Sequence, residues 1–206
     1  RDQIKTENPL REPTDPPFSR LTLLDVGCGG GLLSEPMARL GAEVTGIDAA
    51  ELNIDVALKH SRGMGLNIDY RCQSLEEMAT SGKQYDIVVA MEVLEHVADR
   101  ATFVQLASLC VAPGGSLFFS TLNRTLKSFA VAIVGAEYIL NWLPRGTHKW
   151  HKFMRPSLLV KLLMDNGMEP ADLTGVRYSP SRDRWLLTGD LSVNYMIHAH
   201  KPKMDP

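Results

Sequence analysis

The hexapeptide MEVLEH, Met91 to His96, sets two carboxylates and an imidazole close together along the chain. If a helical turn begins there, Glu92, Glu95 and His96 fall at i, i+3 and i+4 and share one face. Such a trio can bind a divalent cation. Carboxylates suit Mg²⁺, while an imidazole ligand fits Mn²⁺ or Zn²⁺ better. Without a metal, His96 is the leading general base, because an imidazole with an ordinary pKa of about 6.5 can take a proton near neutrality. Both alternatives stay open on the residues alone. His148 and His151, in GTHKWHKF, are rival bases, and surface solvation or a capping hydrogen bond is the plainer reading of each. The catalytic candidates are therefore His96, Glu92 and His148, and the metal candidates Glu92, Glu95 and His96.

A second chemical signal is LLDVGCGGGLL, where Gly27, Gly29, Gly30 and Gly31 follow an apolar run. Glycine lets a backbone approach a ligand closely, and a helix starting after the loop offers unpaired N–H groups. A nicotinamide fingerprint, G-x-G-x-x-G, would need glycine at position 32, which is Leu32. An acid, Asp25, stands two residues before Gly27. That is a poor cradle for pyrophosphate and a better one for a cationic ligand such as an ammonium or a sulfonium. Asp48 ends the next apolar run, VTGID, where a carboxylate can accept hydrogen bonds from ribose hydroxyls. Ser74 and Leu75 follow a third run, where an adenine edge would lie. A helix cap and a core residue are the alternative readings of that pair.

These residues need elements to position them. LTLLDV, AEVTGID, NIDYRC, YDIVVAM and SLFFST read as buried strands. LLSEPMARLG, Glu51–Arg62, SLEEMA and Arg100–Val111 read as the helices between them. Strand and helix alternate, which predicts an α/β, doubly wound sheet. After Thr121 the rhythm breaks. A helix is expected from about Pro156 to Asn166, with proline at its start and Gly167 at its end. Strands within Met168–Tyr178 and over Ser192–His200 close the chain as an antiparallel hairpin on a mostly parallel sheet.

The 206 residues, 44% hydrophobic and 22% charged, suffice for one well-cored domain. A net charge of −2 gives no electrostatic footprint for nucleic acid. Cys28, Cys72 and Cys110 lack CxxC spacing and read as reduced, buried thiols. Residues 1–20, carrying Pro9, Pro13, Pro16 and Pro17, read as a Pro-rich leader or linker from which upstream chain has been removed. Residues 21–206 read as a single domain with an apolar insertion at about 124–153.

The motifs LDVGCGGG, GID, YDIVVAMEVLEHV and VAPGG resemble the class I S-adenosylmethionine-dependent methyltransferases over about residues 21–121. The second half narrows the likeness. STLNRTLKSFAVAIVGAEYILNWLPRGTHKWHKFMRP and the later SVNYM resemble the O-methyltransferase family of ubiquinone biosynthesis. That resemblance implies a Rossmann-like methyltransferase sheet, S-adenosylmethionine as cofactor, and a polyprenylated catechol or demethylubiquinol as acceptor. It implies contacts from Gly27, Asp48 and Met91 to the cofactor, to which the residues add Asp25, Gly29, Ser74 and Leu75. A divalent cation, Mg²⁺ or another, is the open addition that a catechol acceptor favours. Other ubiquinone-biosynthesis proteins are implied as partners. The location implied is a bacterial cytoplasm at the inner face of the membrane, or the matrix face of the mitochondrial inner membrane. A methyltransferase for another small hydrophobic acceptor, and a non-catalytic binding scaffold, are the alternatives.

From Phe129 to Leu143 the only charge is Glu137. The stretch is short of the roughly 20 residues a membrane span needs. With Tyr138 and Trp142 toward one end and Arg124, Lys127, Arg145, Lys149 and Lys152 around it, it is expected to act as a lid and an interfacial membrane anchor.

Overall fold

The computed structural model describes residues 15–128, 153–179 and 182–203. Five strands run parallel: β1 (Thr22–Val26), β2 (Glu43–Asp48), β3 (Asp69–Cys72), β4 (Tyr85–Met91) and β5 (Val111–Leu122). Helices α1 (Ser34–Arg39), α2 (Glu51–Gly63), α3 (Leu75–Thr80) and α4 (Arg100–Leu109) alternate with them, and α5 (Pro156–Asp165) follows. The chain closes with β6 (Glu169–Ser179), β7 (Arg184–Thr188) and β8 (Asn194–His200).

All eight strands form one sheet in the order β3-β2-β1-β4-β5-β8-β6-β7. β8 enters between β5 and β6 and is antiparallel to both. β7 pairs antiparallel with β6 at the edge. The doubly wound architecture is as expected. The closing unit differs in having three strands, because RWLLT forms an edge strand that was not read from the sequence. The strand order reverses between β1 and β4, and in open α/β sheets ligands bind beyond the carboxyl ends of the strands at that point. The loop after β1 and the turn after β4 therefore lie side by side.

Each face of the sheet carries its own core. Leu24, Val88, Phe119 and Tyr195 belong to a cluster with Phe103 of α4 and Leu159 and Leu163 of α5. Leu23, Val44, Ile87 and Val89 belong to another with Ile54 and Ala57 of α2. Phe18, from the Pro-rich stretch, is 2% exposed in this second core, and its N–H donates to Leu40 O at 2.8 Å. Residues 15–20 are thus packed against the domain, because a phenyl ring gains more from burial than from water. Cys28 and Cys110 are buried free thiols, as expected, whereas Cys72 is exposed at the end of β3.

Local signals set the helix ends. α3 begins with a capping box, in which Ser74 Oγ accepts from Glu77 N at 3.2 Å and Glu77 Oε2 accepts from Ser74 N at 2.9 Å. Asp99 caps α4 by accepting from the N–H groups of Ala101 and Thr102. α5 starts on Pro156, and the chain leaves it through Gly167 at φ +72°.

Candidate active site

The glycine loop divides its labour. Gly27, at φ +72°, has Val93 Cγ2 at 2.6 Å from where a Cβ would lie, so it lets the turn after β4 close on the loop. Gly31, at φ +87°, abuts the Tyr70 hydroxyl, which would stand 2.2 Å from a Cβ. Gly29, at φ +53°, has nothing within 4 Å of that point. Its missing side chain leaves open space above the loop, and this is the backbone a ligand can approach. Leu32, where a nicotinamide fingerprint would need glycine, is 92% exposed.

Asp25 lies beneath the loop. Its Oδ2 accepts from Ser34 Oγ at 2.6 Å, pinning the start of α1 to β1. Burial pushes its carboxyl up to about 6, against the Ser34 hydrogen bonds. Asp48 stands at the end of β2 facing the loop. Its Oδ2 accepts from Gly29 N at 3.0 Å, while its Oδ1 accepts from Ala50 N at 2.8 Å and Asn53 Nδ2 at 3.2 Å. One carboxylate thereby fixes both the glycine loop and the start of α2. Ser74 and Leu75 lie beside it, joined through Gln73 N to Asp48 O at 3.1 Å. Both of their structural readings hold, since Ser74 caps α3 and Leu75 is in the core.

The turn after β4 departs from the sequence reading. Glu92 has φ +56°, so the chain leaves β4 through a left-handed residue and not into a helical turn. A non-glycine residue in that region costs about 1–2 kcal/mol. Here it is held by its N–H donating to Ser120 O at 3.0 Å and Ser120 Oγ at 3.1 Å. His96 N closes a turn on Val93 O at 2.9 Å. Glu92 and Glu95 come together as a carboxyl pair. Glu92 Oε1 accepts from Ser120 Oγ at 2.7 Å and Asn194 Nδ2 at 3.0 Å, and Glu95 Oε2 accepts from Thr121 Oγ1 at 2.8 Å. Glu95 is buried, whereas Glu92 and His96 are exposed.

The expected helical turn is corrected accordingly. Glu92, Glu95 and His96 do not share a helical face, and among the described residues no group of three His, Cys, Asp or Glu side chains is placed to hold a metal ion. The two carboxyls are instead engaged with each other and with Ser120, Thr121 and Asn194. Those three partners were missed because they come from β5 and β8, far away in sequence. The signal for them lay in SLFFST, read above only as a strand, and in SVNYM, given above for its resemblance. His148 and His151, and the apolar stretch from Phe129 to Leu143, lie outside the described residues.

Burial, and next the Glu92 charge, push the Glu95 carboxyl up to about 8. Between its ordinary pKa of about 4.3 and this raised value, Glu95 binds more protons folded than unfolded. Its contribution to stability therefore falls as pH rises through that window. Glu95→Gln keeps the shape and removes the titration. Its Tm should gain on that of the parent by at least ~3 °C between pH 5 and pH 8. Parallel Tm curves for the two proteins would contradict the buried, proton-sharing pair.

A trough of about 440 Å³ opens beside the turn, between α1 and the sheet, and Met91 is among its lining residues.

An α/β sheet of this order, with a glycine turn and an acid at the switch point, defines a class, and the chain matches the methyltransferase-domain family over residues 5–172. Magnesium protoporphyrin IX methyltransferase from Synechocystis PCC 6803, solved with bound SAH, has a TM-score of 0.64 at 21% identity over 89% of this chain and 74% of that one. A SAM-dependent methyltransferase from Methanosarcina mazei gives 0.65 at 21% identity over 89% and 93%. At that identity the likeness is one of fold. The ubiquinone biosynthesis O-methyltransferase of Methylobacterium sp. (strain 4-46) is 54% identical over 193 residues, 93% of this chain and 78% of that protein. That of Sinorhizobium fredii (strain NBRC 101917 / NGR234) is 52% identical over the same shares. Within the methyltransferases, the chain belongs to the ubiquinone biosynthesis O-methyltransferase family.

Proposed function

We propose that the protein transfers the methyl group of S-adenosylmethionine to a phenolic hydroxyl of a prenylated catechol in ubiquinone biosynthesis. The observation that carries this reading is the juxtaposition of Asp48 and Gly29 with the Glu92–Glu95 turn across the β1/β4 switch point. Asp48 binds the ribose hydroxyls, Gly29 gives the cofactor its close approach, and Met91 lies between cofactor and acceptor. Asp25 fixes the loop from below. S-adenosylmethionine supplies an electrophilic methyl, and the acceptor must supply a phenolate. An ordinary phenol has a pKa of about 10, so its proton needs a base. His96, exposed on the turn beside Glu92, takes it, while the Glu92–Glu95 pair holds the turn in its left-handed form. No step in this reading is routed through a cation.

The acceptor's hydrocarbon tail favours work at a membrane face, and the bacterial relatives favour the cytoplasmic side of a bacterial membrane. Among the described residues, no helix is long and apolar enough to cross a membrane. Leu126, 82% exposed between the exposed Arg124 and Lys127, has the composition of an interfacial contact.

The test is methyl transfer from S-adenosylmethionine to a short-prenyl catechol, with and without a chelator. Turnover indifferent to the chelator is expected. Turnover lost to the chelator and restored by Mg²⁺ would return Glu92, Glu95 and His96 to a metal site. Tight S-adenosylhomocysteine binding without turnover on any catechol would make the protein a scaffold.

A further inference from the structure

The trough beside the site has a composition of its own. Ile87 and Met91 of β4, Phe118 of β5 and Met196 of β8 line it from the sheet, and Met37 lines it from α1. At about 440 Å³ it falls within the ~300–1,000 Å³ typical of sites that bury a small ligand. Its lining is apolar except at Asp172, Thr174 and His198. His198 is itself occupied, with Nε2 3.1 Å from Ser116 Oγ and its ring stacked on Phe118 at 4.3 Å. Burial, and next the neighbouring His200, lower its pKa to about 4, so it brings no positive charge near neutrality. Nothing in the lining is built to seat an anion, and an uncharged hydrocarbon is the chemistry it fits. One end of the trough lies next to the reaction site, because Met91 and Met196 are the register partners of Ser120, whose Oγ donates to Glu92 Oε1 at 2.7 Å.

We infer that this trough holds the hydrocarbon tail of the methyl acceptor, with the ring at Glu92 and His96 and the tail entering between Met91 and Met196 and running past Phe118 toward Ile87. The inference rests on the acceptor being a prenylated catechol, as proposed above. Tail recognition is then a property of the sheet face itself, and it sets KM more than kcat, since the tail is bound alike in ground and transition states.

The experiment measures KM for catechols bearing zero, one, two or three isoprene units, with the parent protein and with Met196→Asp and Met196→Trp. In the parent, KM should fall at least ~10-fold from the tail-free to the two-unit acceptor. Both variants should raise KM for the two-unit acceptor about tenfold and leave the tail-free acceptor within about twofold. A length dependence that survives both substitutions overturns the inference, as does an equal loss on tail-free and tailed acceptors. Photolabelling of the unsubstituted protein with a geranyl catechol carrying a diazirine avoids any question of folding. Label on the Ile87–Met91 or Tyr195–His198 peptides supports the trough, and label confined to other peptides overturns it. Absence of turnover even with the tail-free catechol would instead strike at the proposed reaction.

Discussion

Asp48→Ala should weaken S-adenosylhomocysteine binding by about 10²- to 10³-fold and leave the protein folded. The carboxylate has three donors within the protein, and one of them, Gly29 N–H at 3.0 Å, belongs to the loop proposed to cradle the cofactor. Removing it releases the loop and deletes the proposed acceptor for the ribose hydroxyls. Hydrogen bonds to a charged group contribute about 1.5–3 kcal/mol each, so losing one or two of them amounts to roughly that fall in affinity. Asp48 is half-buried and outside both hydrophobic cores, so the loss of stability should stay at about 1–3 kcal/mol, the cost of freeing donors that water can partly satisfy. Asp48→Asn should fall between, because an amide oxygen can still accept from Gly29 while its NH₂ cannot accept at all. Equilibrium binding and urea unfolding read the two effects separately. Binding within threefold of the parent would remove Asp48 from the cofactor site.

Gly31→Ala and Gly29→Ala should fail in opposite ways, although only one residue lies between them. At Gly31 a Cβ would lie 2.2 Å from Tyr70 Oη and 3.1 Å from Tyr70 Cζ, and the Tyr70 side chain is buried with little room to retreat. The left-handed backbone adds about 1–2 kcal/mol and the overpacking about 1–3, for a loss of roughly 2–5 kcal/mol. Tyr70→Phe removes the nearest atom, so Gly31→Ala should cost less in that background than alone. At Gly29 the same substitution meets no atom within 4 Å. It should lose only about 1–2 kcal/mol of stability, while its methyl group intrudes where the cofactor is proposed to approach. Cofactor affinity should drop at least ~10-fold. Equal stability losses for the two variants, or unchanged affinity for Gly29→Ala, would contradict this division of labour.

Much of this was legible in the sequence because it is local. The glycine loop, the acid ending β2, the capping box at Ser74 and the Pro156 and Gly167 limits of α5 each depend on neighbours a few residues away. The alternation of apolar runs with helical patterns likewise gave the parallel sheet. What escaped depends on backbone choices and distant partners. A spacing of i, i+3, i+4 implies one face only if the backbone is helical, and Glu92 at φ +56° is not. Ser120 and Thr121 reach the carboxyl pair because β5 pairs with β4, with Ser120 opposite Met91, and Asn194 reaches it because β8 pairs with β5, with Leu122 opposite Asn194. Strand β7 was missed because RWLLT is short, lies between turns and exposes Trp185 and Leu187. Phe18 was hidden by the prolines around it. Composition identified an unhelical stretch there, yet one ring was enough to anchor it.

Methyl transfer from a sulfonium to a phenolic oxygen is tested most directly by following the methyl carbon itself. S-adenosylmethionine carrying a ¹³C-methyl group is incubated with the protein and a one-unit prenyl catechol, and the product is read by NMR. The expected result is a new methoxy carbon on the ring with stoichiometric S-adenosylhomocysteine, lost in His96→Ala and Asp48→Ala. A methyl signal on ring carbon, or S-adenosylmethionine left unconsumed while the protein binds it, would contradict the account.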